Sequence, residues 1–333
     1  IMTNEELFLT GQHIEQYRHA TFLPDPYYLE GLKRDPGDSR INQAYGQLLL
    51  RRGCVKEAEP YFRKAIKRLT MRNPNPYNSE CYYLLGVDLF LQERLEEAYD
   101  AFYKAAWSSE QQEMAFYYLA VIDALAGRLE QALDHVERGL VKNVHNVRAR
   151  GLKACLLRKL GRTEQALVWV RENLTIDPFD FVSGNEEILL TGETKEKRDA
   201  WKEKMRGWRE HYLETARHYA EMGDFCQAVQ VLEMYDGEFP MISYYMAYYT
   251  EKSGRQVREL WHQAENCQPD YCFPNKLEDI RVLETAMERG CRKKAPYYLG
   301  CLFFDRLQWE RAQQLWELAG KENMDFPTVH RNL

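Results

Sequence analysis

The side chains that could do chemistry in this sequence are few and widely spaced. His211 and His218 stand seven residues apart, two turns of a helix, so both imidazoles could share one face and offer two nitrogens to a metal. No third ligand stands beside them, and the pair reads as ordinary surface or interface histidines. Cys267 and Cys272 flank the loop QPDY and read as free thiols. Glu186, Glu187 and Glu193, and the run Glu96 and Glu97, look like the paired carboxylates of general acid and base work, but helical periodicity puts them on solvent faces. The phosphate-cradling G-x-x-x-x-G-K-[ST], the hydrolase G-x-S-x-G and the metalloprotease H-E-x-x-H are absent from the sequence. These residues are therefore expected to hold no catalytic group, no metal and no cofactor.

Composition narrows the remaining classes. The chain has 333 residues, 45% hydrophobic and 29% charged, which is ample for a packed core and unlike a disordered chain. Its 51 acidic and 45 basic side chains leave a net charge of -6, so there is no electrostatic footprint for nucleic acid or an anionic membrane. None of the eight Cys forms a C-x-x-C pair, which argues against a zinc ribbon and, at this density, against a disulfide scaffold. Reduced thiols and a cytoplasmic setting are expected. No apolar run approaches the roughly 18 residues needed to span a bilayer, and the opening IMTNEELFLTGQ lacks the basic and apolar regions of a signal peptide. At this length a single globular core is near its limit of about 250 to 300 residues, whereas a solenoid, in which each unit packs only on its neighbours, is not so bounded.

The elements that must position these residues repeat. Gly46, Ala58, Phe62 and Ala65 recur in the same spacing as Gly86, Ala98, Phe102 and Ala105, as Ala120, Ala132, Val136 and Gly139, and as Ala154, Ala166, Val170 and Asn173, the last two sets at steps of 34 residues. Gly53, Gly127 and Gly161 stand seven residues after the small opening residue, where a helix hairpin must turn, while the second copy has Glu93 there. Small residues let two antiparallel helices approach, so Gly46 is expected to face Ala58 with Leu49 and Phe62 around them. Two later copies are looser, Ala216, Tyr219, Gly223, Ala228 and Leu232 and then Ala247, Gly254, Trp261 and Ala264, while Gly300, Ala312, Trp316 and Ala319 make a clean last one. The chain reads as one repeat solenoid over 1–333. A first helix from about Thr3 to Arg18 opens a degenerate hairpin over 3–36, followed by four regular repeats over 39–180. A short hairpin over 181–208 flanks Gly192, and two looser repeats cover 209–268. An extra helix over 275–290, a last repeat over 293–326 and the start of a truncated one at 328–333 complete it. The expected fold is all-α, a right-handed superhelical solenoid of antiparallel helix hairpins.

This pattern resembles the tetratricopeptide repeat, a helix-turn-helix unit of 34 residues. The segments EELFLTGQHIEQYRHA, PYYLEGLKRDPGDSR, NPNPYNSECYYLLG, EEAYDAFYKAAW and YYLGCLFFDRLQWERAQQLWE further resemble the repeat region of a large, mainly bacterial family of unknown function, whose members carry a β-rich, carbohydrate-active-like region before the repeats. That resemblance implies a longer parent protein and supplies no catalytic residue. Peptide-carboxylate clamps of the repeat class use Lys and Asn where this chain has Gln43, Gln47, Tyr83 and Val87, so that device is not matched.

In the repeat class the first helix of each hairpin faces the groove. The corresponding positions are Gln43, Gln47, Tyr83, Phe90, Tyr117, Val121, Cys155, Arg158, Arg217, Tyr244, Tyr248, Tyr297 and Phe304, rich in rings that offer large contact area at low entropy cost. The same rings would also serve to pack one hairpin on the next. The expected function is a scaffold that holds a protein or peptide, or the missing N-terminal region of its own chain, in the groove. The alternative is a non-catalytic helical arm of a carbohydrate-processing enzyme whose active site lies upstream.

Overall fold

The computed structural model describes residues 2–17, 19, 21–322 and 326–333. Arg18, at the end of the expected first helix, and positions 323–325, inside the expected last repeat, lie outside the described residues. Among those described there are twenty helices and no strand. The chain divides into two compact units, Ile1–Leu119 and Ala120–Leu333. The first contains α1 (Asn4–Gln16), α2 (Asp25–Arg34), α3 (Ser39–Arg51), α4 (Val55–Leu69), α5 (Glu80–Leu91), α6 (Leu95–Ala105) and the start of α7 (Gln112–Leu125). The second begins within α7 and continues through α8 (Leu129–Lys142), α9 (Val147–Lys159), α10 (Thr163–Ile176), α11 (Phe181–Thr191), α12 (Lys195–Met205), α13 (Arg209–Glu221) and α14 (Phe225–Glu233). Then come α15 (Pro240–Lys252), α16 (Arg258–Asn266), α17 (Leu277–Glu288), α18 (Ala295–Asp305), α19 (Trp309–Glu322) and α20 (Pro327–Asn332).

In each unit a helix packs on its sequence neighbours and on the helix two further along, as α3 does on α4 and α5, and α9 on α10 and α11. That nearest-neighbour pattern defines a helical solenoid.

The hairpins turn by one device. Seven residues after each small opening residue the backbone is left-handed: Gly53 (φ 81°), Glu93 (59°), Gly127 (74°), Gly161 (72°), Gly223 (80°), Gly254 (83°) and Leu307 (60°). The following amide reaches back to a carbonyl of the first helix, Cys54 N to Leu49 O at 3.0 Å and Gln308 N to Phe303 O at 2.8 Å, which closes a Schellman turn and satisfies orphan carbonyls. Glu93 and Leu307 hold the same geometry without glycine, at a cost of about 1–2 kcal/mol each. Several helix starts are fixed by side chains: the Thr3 hydroxyl accepts from Glu6 N, Asp38 from Ile41 N, Asn146 from Ala149 N and Asp180 from Ser183 N.

The small residues do what the spacing requires, and the large ring of the second helix packs directly on them. A Cβ on Gly46 would sit 2.8 Å from the Phe62 ring, one on Gly86 2.7 Å from Phe102 and one on Gly300 2.5 Å from Trp316. The glycine thus receives the ring sixteen residues on, and at Gly300 the Ala312 carbonyl also lies 3.2 Å from the Cβ position. Ala58, Phe62, Ala98 and Phe102 are fully buried, and Leu49, expected in this core, is only half-buried. The short hairpin of α11 and α12 uses the same contact one residue longer, Gly184 against Trp201 at 3.0 Å.

Candidate binding surface on residues 147–278

In the first unit the expected groove positions are largely engaged. Gln43 on α3 donates to Glu80 Oε2 at 2.7 Å and accepts from the Cys81 thiol at 2.8 Å, so it ties α3 to α5. Gln47 is half-buried. Tyr83 and Phe90 converge on Tyr118, at ring separations of 6.3 and 5.3 Å, and Tyr118 stacks flat on Phe102 at 4.6 Å. Tyr117 is buried at 2% exposure and meets Tyr118 edge-on. These rings form an inter-hairpin cluster whose hub is Tyr118, a residue the groove register passed over by one position.

The second unit departs further from a simple groove of rings. Val121 and Cys155 are buried, and burial, with Glu186 nearby, pushes the Cys155 thiol well up. Tyr244 is fully buried and donates to Glu265 Oε2 at 2.6 Å, while Glu265 also accepts from the first amides of α18. Tyr248 lies under Lys252 Nζ, Tyr297 is nearly buried beside Phe326, and Phe304 stays exposed beside Trp316. The two arginines carry the polar content of this face.

Arg158 on α9 grips Glu186 on α11 with two donors, at 2.6 and 3.2 Å, and Glu186 also accepts from the Tyr219 hydroxyl on α13 at 2.8 Å. Glu186 is fully buried. This overturns the solvent-face reading: its charge is held inside because a guanidinium and a phenol from the two flanking helices satisfy it. Burial works against the Arg158 charge, and Glu186 more than offsets it, so the group is held above its ordinary range. Glu193 is exposed and bonded to Arg198; Glu97 is exposed and bonded to Arg94.

Arg217 on α13 repeats the arrangement one step along. Its guanidinium donates to the Tyr245 hydroxyl at 3.2 Å, to Asp279 Oδ1 at 3.1 Å and to Glu214 at 2.9 Å. Asp279 Oδ2 meanwhile accepts from the amides of Asn275 and Lys276, which caps α17. Burial opposes the Arg217 charge, but Tyr245, Asp279 and Glu214 together raise it.

A cleft of about 280 Å³ opens beside the Arg217 network. Its walls are the starts of α9 (Val147, Arg148) and α11 (Phe181, Val182), the loop residues Phe179 and Asp180, the α13 face of Glu214, Arg217, His218 and Glu221, Glu278 from α17 and Lys276 just before it. Phe179 and Val147 are exposed at 53% and 45%. Arg148 pairs with Glu221, and Lys276 with Glu214 at 3.1 Å, so the cleft is edged by ion pairs. Glu278 stands exposed at its rim. His218 is no surface histidine: it is buried at 8% exposure, its Nε2 has no partner, and burial reinforced by Arg148 lowers it to about 3, so it is neutral. His211 lies apart, its Nδ1 on the Met205 carbonyl at 3.0 Å. Of the expected groove residues only Arg217 lines the cleft.

No family model matches the chain. Solved structures of helical repeat proteins are similar to it at low identity. YrrB, described as a tetratricopeptide repeat protein with an unusual peptide-binding site, is 19% identical over 62% of this chain and 98% of that chain, with a TM-score of 0.44. PilF of Pseudomonas aeruginosa is 18% identical over 74% and 97%, with a TM-score of 0.46. A tetratricopeptide repeat protein of Parabacteroides merdae is 15% identical over 89% and 97%, with a TM-score of 0.36. Likeness at such identities concerns fold and not function.

Cys267 and Cys272 are buried free thiols, raised by burial. Asp123 and His135 form a buried pair at 2.8 Å, with Arg128 on the other carboxylate oxygen at 2.7 Å. No group of three or more potential metal ligands occurs among the described residues, and no described helix is long and apolar enough to cross a membrane.

Proposed function

We propose that the chain is a polypeptide-binding scaffold, and that the cleft walled by α9, α11, α13 and α17 receives an extended peptide segment. The observation that carries this reading is the exposed pair Phe179 and Val147 beside a cleft edged by ion-paired charges. An apolar side chain would cover Phe179 and Val147, while a basic side chain would meet the exposed Glu278 at the rim. The buried carboxylates support binding over catalysis: Glu186, Asp279 and Asp123 each spend their oxygens on structural donors. The partner is a separate protein or another part of the same polypeptide.

A peptide array probed with the whole chain tests this. Wild type should retain a subset of peptides that the Val147→Asp, Phe179→Asp double variant loses, with helical circular dichroism unchanged because both side chains are largely exposed. Equal retention by the variant, or no retained peptide, refutes the cleft as the binding surface.

A further inference from the structure

Most of the polar side chains in the cleft on α9, α11, α13 and α17 are already committed to one another. Four carboxylates and three cationic side chains line it. Glu221 pairs with Arg148, Glu214 with Lys276 at 3.1 Å and with Arg217 at 2.9 Å, and Arg217 reaches Asp279 at 3.1 Å. Asp180 accepts from the Ser183 amide and hydroxyl at 3.0 and 2.6 Å, and the Thr215 hydroxyl donates to the His211 carbonyl at 2.7 Å. Two polar side chains of the wall have neither a hydrogen bond nor an ion pair among the described residues, Glu278 and His218. Glu278 is exposed, so water satisfies its carboxylate.

His218 has no such outlet. It is buried at 8% exposure, and a polar ring held so deep ordinarily finds a partner. Its two nitrogens differ. Nε2 is sealed off, 3.1 Å from where a Cβ on Gly151 would lie. Nδ1 is neither sealed nor bonded, and the ring forms part of the cleft wall, so Nδ1 opens into the cleft. Burial, with Arg148 nearby, keeps the ring neutral, so one nitrogen carries a proton and the other a lone pair. An orphaned N–H is rarer in a protein interior than an orphaned acceptor, which puts the lone pair on Nε2 and the proton on Nδ1.

We infer that His218 is a specificity-determining residue of this cleft: its Nδ1–H donates to a main-chain carbonyl of the bound peptide, and anionic groups are refused there. The inference rests on the peptide-binding reading of the same cleft. An extended chain offers a carbonyl at every residue, with no internal hydrogen bond to satisfy it. A carboxylate or phosphate would accept more strongly, but His218 lies one turn of α13 from Glu214 on one side and from Glu221 on the other, with Glu278 at the rim. The wall holds one more negative charge than positive, so a neutral acceptor fits and a further anion does not. A buried donor left unpaired also counts against any ligand that lacks the acceptor.

Imidazole nitrogen and backbone amide resonances of the whole chain, followed during titration with N-acetyl-leucyl-lysine amide, test this. In the free chain His218 should show a protonated Nδ1 and a bare Nε2. On titration Nδ1 should shift saturably, in step with the amides of Val147 and Phe179. His218→Leu removes the donor at similar bulk and should weaken binding about fivefold, the loss of one hydrogen bond between neutral groups. The probe with glutamate in place of lysine should bind at least about tenfold more weakly. Shifts of the Val147 and Phe179 amides without Nδ1, a proton found on Nε2, or a His218→Leu chain that binds like wild type would overturn the role of His218 and leave the peptide cleft standing. Equal binding of the glutamate probe would overturn the refusal of anions. No saturable shift at any of these positions would overturn the cleft and the role of His218 together.

Discussion

Acidification should destabilise the second unit through one residue, His218. Its imidazole is buried against α9 near Gly151, beside the Arg148 and Glu221 pair, and its Nε2 accepts no hydrogen bond. In the unfolded chain it titrates near 6.5, in the folded chain near 3. Between these values the unfolded state binds the extra proton, so stability is intact above about pH 6.5 and is lost as pH falls through the window. At about pH 5 the loss is about 2 kcal/mol, because the unfolded imidazole is then almost fully protonated and the folded one is not. His218→Leu keeps a neutral side chain of similar bulk and removes the titration. Urea unfolding of both proteins at a series of pH values gives the difference in stability between them. All other groups cancel in that difference, so it should shift by about 2 kcal/mol in favour of the variant between neutral pH and about pH 5. A difference independent of pH would refute the claim that the folded imidazole is neutral.

The same substitution should act through two distinct causes at two glycines. Gly127→Ala meets open space but forces a left-handed residue (φ 74°), and is expected to cost about 1–2 kcal/mol by thermal or urea unfolding. Gly86→Ala puts a Cβ 2.7 Å from the Phe102 ring and should cost about 1–3 kcal/mol, with relief when Phe102→Leu is added. Asp88 is fully buried with Oδ1 lacking a partner, and burial raises its carboxyl to about 7 against the opposing bond from Gln92. Its charge therefore burdens the fold increasingly as pH rises from about 4 to about 7. Asp88→Asn should stabilise the chain near pH 8 and lose that advantage near pH 4.

How far the molecule is legible in its sequence depends on how far apart the partners lie. The turn residues Gly53, Gly127, Gly161, Gly223 and Gly254 and the ring contacts Gly46 to Phe62 and Gly86 to Phe102 all span a single hairpin, so regular spacing alone exposes them. Leu307 shows the same local geometry under a residue type that does not announce it. Groove and core are harder to separate, because a position on a first helix is free or covered according to the next hairpin. Tyr83 and Phe90 lean on Tyr118, about thirty residues on, and Glu186 is drawn inward by Arg158 and Tyr219, 28 and 33 residues away. Periodicity within 181–208 assigns Glu186 to solvent since it contains neither partner. The cleft lies at the far end of this scale: Val147, Phe179, His218 and Glu278 come from four separate helix starts and faces, and Arg148 reaches Glu221 across 73 residues. Its one local trace is the pair of apolar residues set beside helix caps, Val147 after Asn146 and Phe179 before Asp180. Side chains half-exposed where a hairpin hands over to the next contribute little to its packing, so the pattern within one hairpin does not register them, and only the proposed peptide gives their apolar character a use.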